Sequence, residues 1–176
     1  MAITPINLKG VVENRAAVAD MLTSPADVAL VMRGVPRWLL IRCPCGCGED
    51  IPVNLDARAG KAWRLYRDDK TGMSLFPSVW RDTGCESHFI LRRNQIYLFG
   101  KYIEDFASPF DKTELNALAQ RMLARWPVDG FVRFPDAADA LGEMPWDVLD
   151  ACQLLVRKGV LLEGSGQLKG AFRRTK

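Results

Sequence analysis

Hydrophobic residues in the first 107 positions fall into short runs, some continuous and some alternating with polar residues. Two continuous runs, at 28–32 and 38–41, are separated by a Gly-Val-Pro turn. Further runs of three to five residues are bounded by polar and glycine-containing turns, as is typical of strands. The predicted strands lie at residues 28–32, 38–41, 51–55, 62–66, 74–76, 78–80, 89–91 and 96–99. This pattern predicts an antiparallel sheet or small barrel.

After Pro109 the spacing of apolar residues changes to the 3.6-residue period of helices. Asp111 and Glu114 have the spacing of a capping box, and Pro127 would end the first helix. A second helix is predicted at 136–141 and a third from Pro145 to about Gly159. A β-hairpin with a Gly-Ser-Gly turn is expected at 160–169. Three helices followed by a hairpin is the order of a winged helix.

The predicted organisation is therefore α+β, with a boundary near residue 108. Residues 1–26 are expected to be an N-terminal extension with a short helix at 14–22. Residues 27–107 would form the β domain and residues 108–176 a winged-helix-like domain.

Composition and charge indicate the cellular compartment that we expect for the protein, but they do not indicate its partner. The chain has 176 residues and a net charge of only +3, which does not by itself indicate nucleic acid binding. No apolar run approaches the roughly 20 residues of a membrane-spanning helix, and the N-terminus lacks the features of a signal peptide. We therefore expect a cytoplasmic protein with no membrane partner. Its five cysteines are an odd number, which fits a disulfide framework poorly.

Three of those cysteines, Cys43, Cys45 and Cys47, lie in one Pro- and Gly-containing turn. A second turn contains Cys85 and His88, which are separated by two residues. Thiolates and imidazoles are the ligands that Zn²⁺ prefers, in sets of four. The predicted ligands are Cys43, Cys47, Cys85 and His88, with Cys45 as a bystander or alternate ligand.

A closed set of three cysteines and one histidine predicts a structural zinc that staples the antiparallel β domain. If only three groups bound the ion, the fourth position could hold a reactive water, with Glu86 or Asp82 as its base.

The polar run around Trp80 suggests a second kind of chemistry. Ser78, Asp82 and Ser87 are weak candidates for a catalytic set. A Ser-His-Asp triad would need His88, the one histidine of the chain. Because a zinc-bound histidine cannot act as a base, the zinc prediction excludes the triad.

Several motifs over residues 28–100 together resemble one bacterial family of uncharacterised proteins. The motifs are Arg37-Trp38-Leu39, Arg42-Cys43-Pro44, Gly46-Cys47-Gly48, Asn54-Leu55-Asp56, Ala62-Trp63-Arg64-Leu65, Leu75-Phe76-Pro77-Ser78-Val79-Trp80, Gly84-Cys85 and Ser87-His88-Phe89. The family (BubE-like) is associated with operons for ubiquitin-like conjugation. The resemblance implies a zinc-binding accessory factor, and as partners a modifier with E1-like and E2-like enzymes. It also implies a role in releasing or processing the modifier.

The C-terminal module could bind protein or DNA. Asp147 and Asp150 lie early in the third helix, where base contacts would be made, and phosphates would repel them. Suitably basic residues come late in that helix and in the wing: Arg157, Lys158, Lys169, Arg173, Arg174 and Lys176. Protein docking is therefore preferred to DNA binding.

Three functions remain in competition. The first is a zinc-binding accessory protein of a bacterial ubiquitin-like pathway. The second is a peptidase or esterase, similar to a deubiquitinase, that cleaves modifier conjugates. The third is a DNA-binding winged-helix regulator.

Overall fold

The structure, a computed structural model, describes residues 2–99 and 111–175, without the side chain of Ala2. The chain divides into two compact units, residues 1–105 and 106–176. The predicted boundary near residue 108 lies outside the described residues. The described part contains three α-helices and four sheets, in which most strand pairs are antiparallel. The predicted α+β class with antiparallel sheets is confirmed.

In its described residues, 2–99, the first unit has ten strands in three sheets. The strands are β1 (Ala2–Pro5), β2 (Asn7–Val12), β3 (Asp27–Arg33), β4 (Val35–Arg42), β5 (Asp50–Asn54), β6 (Arg64–Asp68), β7 (Gly72–Phe76), β8 (Val79–Trp80), β9 (His88–Arg92) and β10 (Gln95–Phe99). Their sheet orders are β1-β10-β9-β8, β2-β3-β4-β5 and β6-β7. Neighbours are antiparallel except for the parallel pair β2 and β3.

Residues 2–12, treated above as part of an extension, form strands of the first unit. β1 pairs with β10, and β2 runs parallel to β3. The expected helix at 14–22 is a single 3-10 turn, Arg15–Val18. Most of β2 is exposed, so its apolar residues do not mark a buried face in the sequence.

A buried carboxylate ties the N-terminal strands to the rest of the unit. Asp27 is 1% exposed and accepts hydrogen bonds from the backbone N–H groups of Thr23 (2.9 Å) and Ser24 (2.8 Å). The Asn7 side chain donates a third bond at 2.9 Å, and the Lys9 ammonium lies 3.4 Å away. Burial alone would raise the pKa of Asp27, but these bonds outweigh it and hold that pKa below its ordinary value.

The hairpin between β9 and β10 closes in two residues. Arg93 (φ 51°) and Asn94 (φ 60°) both adopt the left-handed conformation that tight hairpin turns require. Gln95 pairs with Arg92, so the strands extend one residue further on each side of the turn than the apolar runs at 89–91 and 96–99. The turn is held from the side because the Asn94 side-chain oxygen accepts the Met73 N–H at 2.7 Å.

The core of the first unit lies between its sheets. Its buried apolar residues come from strands throughout the unit and from the residues next to them: Ala26, Val28, Leu30, Leu39, Ile41, Cys43, Ile51, Val53, Met73, Leu75, Val79, Phe89, Leu91 and Ile96. Val79 and Phe89 anchor the short strands β8 and β9 in this core, which fixes the opposite face of those strands.

The second unit has its own core around three helices. The elements are α1 (Lys112–Arg125), β11 (Val132–Arg133), α2 (Phe134–Leu141), α3 (Pro145–Arg157), β12 (Leu161–Glu163) and β13 (Ala171–Arg174). The strands form an antiparallel sheet in the order β11-β13-β12. Asp111 caps α1 by accepting the Thr113 N–H at 2.6 Å. The second hairpin strand lies later than predicted because the 3-10 turn Gly166–Leu168 extends the connection.

None of the described helices is long and apolar enough to span a membrane.

Candidate active site and cysteine cluster

The register of β8 and β9 places three polar or aromatic side chains on one outward face. Val79 pairs with Phe89, and Trp80 pairs with His88. Side chains alternate along a strand, so residues 78 and 80 point away from the core that buries Val79. Val79 and Phe89 are 3% and 0% exposed, whereas Trp80 is 70% exposed. Ser78, Trp80 and His88 thus share the outer face of the hairpin.

On this face a serine and a histidine form a hydrogen bond. The His88 Nε2 lies 3.0 Å from the Ser78 Oγ. This is the distance at which a histidine base takes the proton of a serine nucleophile. Among the described residues, the Ser78 hydroxyl is the one hydrogen-bonding partner of the His88 ring. The pair is therefore a Ser-His dyad in the described part of the chain.

Aromatic rings flank the imidazole and shield it from water. The ring centroid of Phe99 lies 4.9 Å from that of His88, and the ring centroid of Trp80 lies at 6.1 Å. Burial lowers the pKa of His88 below the ordinary 6.5, because a charged imidazolium is disfavoured away from water. His88 is therefore mostly neutral at neutral pH, the form that can accept a proton from a serine.

A tryptophan holds the main chain of the serine. The indole Nε1–H of Trp63 donates to the carbonyl oxygen of Ser78 at 3.1 Å. Trp63 is itself fixed because its N–H donates to the Asn54 carbonyl at 2.8 Å. Ser78 thus has its backbone anchored on one side by Trp63 and on the other by buried Val79.

Four cysteine sulfurs lie close together in the same unit. The Sγ atoms of Cys43, Cys45, Cys47 and Cys85 all lie within 4.8 Å of one another. Cys43 Sγ is 3.2 Å from Cys45 Sγ and 3.6 Å from Cys85 Sγ. Cys43 is fully buried, Cys85 is partly buried, and the other two are exposed. This group of four sulfurs could bind a metal ion.

Glycines allow the cysteine turn to close on itself. Gly46 (φ 86°) and Gly48 (φ 82°) adopt positive φ values that L side chains rarely tolerate. The turn is closed by bonds from the Gly46 N–H to the Cys43 carbonyl (3.2 Å) and from the Cys43 N–H to the Glu49 carbonyl (2.8 Å).

The cluster favours one thiolate among its thiols. The Ser87 hydroxyl lies 3.2 Å from Cys43 Sγ and 3.4 Å from Cys85 Sγ. Hydrogen bonding by Ser87 lowers the pKa of Cys85 to about 6. Burial raises the pKa of Cys43, and it raises the pKa of Cys45 to about 12. A divalent cation bound by the four sulfurs would lower the pKa of every thiol in the cluster, because its charge stabilises thiolates.

The structure distributes the sequence-predicted residues between these two sites. Cys43, Cys47 and Cys85 come together as expected, but the fourth sulfur of the group is that of Cys45. His88, expected as the fourth ligand, bonds to Ser78 instead. The physical reason is the strand register, which turns His88 to the outer face of β9 opposite Trp80.

The weak catalytic candidates separate in the same way. Ser78 joins His88, whereas Ser87 is 6% exposed and contacts the cysteine sulfurs. Asp82 is exposed and joins neither group. A Ser-His pair was not expected from the sequence because His88 was assigned to zinc, and the hydrogen bond from His88 to Ser78 removes that reason. One signal in the sequence could have indicated this site. Side chains alternate along a strand, so Ser78 and Trp80 lie on the same face of the strand.

Comparison with known proteins gives a family match over part of the chain. Residues 14–99 match the family BubE, described as "Bacterial ubiquitination-like system serine protease". The match confirms the resemblance inferred from the motifs, and that family belongs to a bacterial ubiquitination-like system. The matched segment, residues 14–99, contains both residues of the dyad and all four clustered cysteines. No curated protein and no solved structure gave a significant match to the chain.

Proposed function

We propose, from the likeness of residues 14–99 to serine proteases of a bacterial ubiquitination-like system, that this chain is a serine peptidase that cleaves ubiquitin-like modifiers or their conjugates. The observation that carries the proposal is the 3.0 Å contact between His88 Nε2 and Ser78 Oγ. This replaces the accessory-factor hypothesis as the first choice, because a binding factor has no need of a serine hydrogen-bonded to a shielded, neutral histidine.

The dyad supports acyl transfer in two steps. With its proton on Nδ1, His88 accepts the Ser78 hydroxyl proton at Nε2 while Ser78 Oγ attacks the carbonyl carbon of the scissile bond. The imidazolium then gives that proton to the departing amine, and an acyl ester remains on Ser78. Water attacks the ester, with His88 again taking and returning a proton, which frees the carboxylate and restores the enzyme.

The four cysteines are proposed to hold one structural Zn²⁺. A tetrahedral site with Zn–S bonds of about 2.3 Å places its sulfurs about 3.8 Å apart. The sulfurs of Cys43 and Cys85 are separated by 3.6 Å, and all four lie within 4.8 Å, so the group fits with small adjustments. Four thiolates leave no position for a reactive water. The zinc-water mechanism considered above is therefore disfavoured.

The proposed zinc would support the dyad through the loop between β8 and β9. That loop carries Cys85, three residues before His88, and Arg81 donates its N–H to the Ser87 carbonyl at 3.0 Å. A metal that joins Cys85 to the turn of Cys43, Cys45 and Cys47 restrains the loop. Cys85 and the turn of Cys43, Cys45 and Cys47 would thus hold the loop that precedes His88, and the bound ion would contribute positioning and not a chemical step.

The second unit is proposed to be a winged-helix module that docks on protein. Its order α1-β11-α2-α3-β12-β13 is the reason for the fold assignment. Several basic residues required for DNA binding are engaged within the unit. Lys158 donates to Asn116 at 2.6 Å, Arg174 donates to the Trp126 carbonyl at 3.2 Å, and Arg173 lies over Phe131.

Asp147 and Asp150, which the sequence analysis placed against phosphates, are in fact buried at 9% and 6% exposure. Apolar side chains are meanwhile exposed near the hairpin, including Val128 at 77% and Leu162 at 44%. Protein partners, such as the modifier or the E1-like and E2-like enzymes, fit this surface better than DNA. An electrophoretic shift with duplex DNA at low salt is expected to show no complex.

Cleavage of a fusion between the modifier of such a system and a reporter protein tests the peptidase. The wild type should release the reporter, Ser78→Ala should not, and Ser165→Ala, a matched serine substitution in the second unit, should match the wild type. Release by Ser78→Ala at the wild-type rate would contradict the proposal. Capture of the modifier without cleavage by the wild type would restore the accessory-factor hypothesis.

A further inference from the structure

Strand β8 is an edge strand that begins directly after the nucleophile. It pairs with β9 and is the last strand in the order β1-β10-β9-β8. Its second residue, Trp80, is 70% exposed, which is exceptional for an indole. Among the described residues its ring has one aromatic neighbour, His88. An exposed indole beside the catalytic base on a sheet edge calls for an explanation.

The hydrogen-bond pattern shows which way the backbone of Trp80 points. Arg81 donates its N–H to the Ser87 carbonyl, so that pair of residues occupies a hydrogen-bonded position of the antiparallel ladder. Hydrogen-bonded and non-hydrogen-bonded positions alternate in such a ladder. Trp80 and His88, the next pair, therefore occupy a non-hydrogen-bonded position. The N–H and C=O of Trp80 point away from β9, toward the open edge.

The neighbouring residue supports this assignment independently. By the same alternation the carbonyl of Ser78 should also point away from β9, and it accepts the Trp63 indole N–H from that side. No backbone partner of Trp80 is found in the described ranges, 2–99 and 111–175. The edge thus offers one unused donor and one unused acceptor two residues after the nucleophile.

We propose that the substrate of this site is an extended, unfolded polypeptide segment that adds to the edge of β8 as a further strand. The inference rests on the proposed peptidase function. Strand addition uses the N–H and C=O of Trp80 to hold the substrate backbone. The indole of Trp80 then receives an apolar side chain of the segment, one or two positions from the scissile bond. A chain terminus or linker satisfies this requirement, and a folded globular surface does not.

The geometry explains why the indole remains exposed in the free protein. A tryptophan that stacks on an apolar side chain contributes strongly to binding, because it buries a large area with little loss of conformational entropy. Trp80 and Ser78 share one strand face, so a side chain on the indole lies next to the hydroxyl that attacks. Bound substrate would also complete the shielding of His88.

Profiling of cleavage sites in a peptide library tests the proposal. The probe is a digest of a bacterial proteome, with new termini identified by mass spectrometry, and the enzymes are the full-length wild type, Trp80→Ala and Trp80→Phe. Wild-type cleavage sites should be enriched in large apolar residues within two positions of the bond. Trp80→Ala should lose that enrichment and raise KM for a selected peptide by about tenfold, whereas Trp80→Phe should stay within about threefold.

Two controls separate this inference from the function on which it rests. Labelling of Ser78 by a fluorophosphonate in Trp80→Ala, measured at a pH well above 6.5 so that His88 is neutral with or without the indole beside it, shows that the dyad is intact. A version of the selected peptide with N-methylated backbone amides beside the scissile bond should be cleaved at least about tenfold more slowly, since it cannot pair with an edge. The control variant Phe131→Ala, which removes an aromatic ring of the second unit, should leave the profile unchanged.

The outcomes are distinct. Labelling of Ser78 with no cleavage of any library peptide, or an unchanged profile in Trp80→Ala, would overturn strand addition and leave the peptidase standing. Equal cleavage of the methylated peptide would also overturn it. Absence of both labelling and cleavage in the wild type would overturn the inference together with the proposed function.

Discussion

At the scale of single residues, the account depends on where one imidazole points. The sequence supplied two consistent uses for His88, as a zinc ligand near Cys85 or as the base of a serine. Spacing along the chain could not decide between them. The strand register decides, because the pairing of His88 with Trp80 turns the ring to the outer face of β9. Such registers depend on long-range pairing, which residue spacing alone does not encode.

Loss of the proposed nucleophile should abolish activity without unfolding the protein. Ser78→Ala removes one half-buried hydroxyl, so we expect peptidase activity to fall by at least about 10³-fold. Its free energy of unfolding should change by less than about 1 kcal/mol. Rates on the modifier fusion and urea unfolding monitored by circular dichroism measure the two effects. A large loss of stability would mean that Ser78 is a structural residue.

Activity should follow the titration of a histidine with a lowered pKa. Because the neutral imidazole is the active base, kcat/KM should rise with pH through a pKa below 6.5 and be level at neutral pH. Phe99→Ala exposes the ring to water and should move the midpoint up toward the ordinary value. A pH–rate profile of both proteins measures this shift. An unmoved midpoint would contradict the shielding assigned to Phe99.

At the scale of elements, the strands with a buried face were predictable and the exposed ones were not. Continuous or alternating apolar runs marked β3 to β5 and β9 with β10, and the period of 3.6 marked the three helices. β1 and β2 were missed because residues such as Ile3 and Val11 are about half exposed, so they do not report a core. The cysteine turn was predicted as a unit, but His88 was placed ahead of Cys45 as a ligand, because residue spacing does not report which way the side chain of residue 88 points.

Metal content distinguishes the two ligand sets. The purified wild type should contain about one zinc per chain, and Cys45→Ser and Cys85→Ser should bind it less tightly. His88→Gln should retain the wild-type zinc content, since the imidazole lies outside the group of four sulfurs. Competition with a chromogenic chelator measures the affinities. Loss of zinc in His88→Gln, with binding preserved in Cys45→Ser, would favour the set first predicted from the sequence.

The buried carboxylate of Asp27 should make the stability of the first unit depend on pH. Its folded-state pKa is lowered, so its contribution is present above the unfolded value of 3.8 and is lost as pH falls through the folded pKa. Asp27→Asn should cost about 1–3 kcal/mol at neutral pH, because it replaces charge-assisted bonds to Thr23 and Ser24. Unfolding at several pH values should show the difference shrinking in acid. A constant difference would contradict the pKa assignment.

At the scale of the whole molecule, the chain is two units with separate cores. The buried apolar clusters of residues 26–96 and 115–172 share no member. The division into a β-rich part and a helical part was visible as a change of period after Pro109. The proposed winged-helix assignment depends on element order, and its protein-binding role depends on which basic residues are already engaged.

Separate cores predict separate responses to damage. Removal of zinc by a chelator, or Cys43→Ser, should lower the unfolding temperature of the first unit only. Phe172→Ala, which truncates a fully buried ring of the other core, should lower that of the second unit only, by several degrees. Differential scanning calorimetry should resolve two unfolding transitions, one lowered by loss of zinc or by Cys43→Ser and the other lowered by Phe172→Ala. One cooperative transition that shifts in both variants would contradict the independence of the cores.

The identity of the serine that reacts with a fluorophosphonate probe is the most direct test of the central claim. Peptide mapping of the labelled wild type should place the single adduct on Ser78. Labelling should disappear in Ser78→Ala and His88→Ala, and it should persist in Ser165→Ala. An adduct on Ser87 or on any other residue, or a protein that cleaves the modifier fusion while Ser78 stays unlabelled, would contradict the Ser78–His88 dyad.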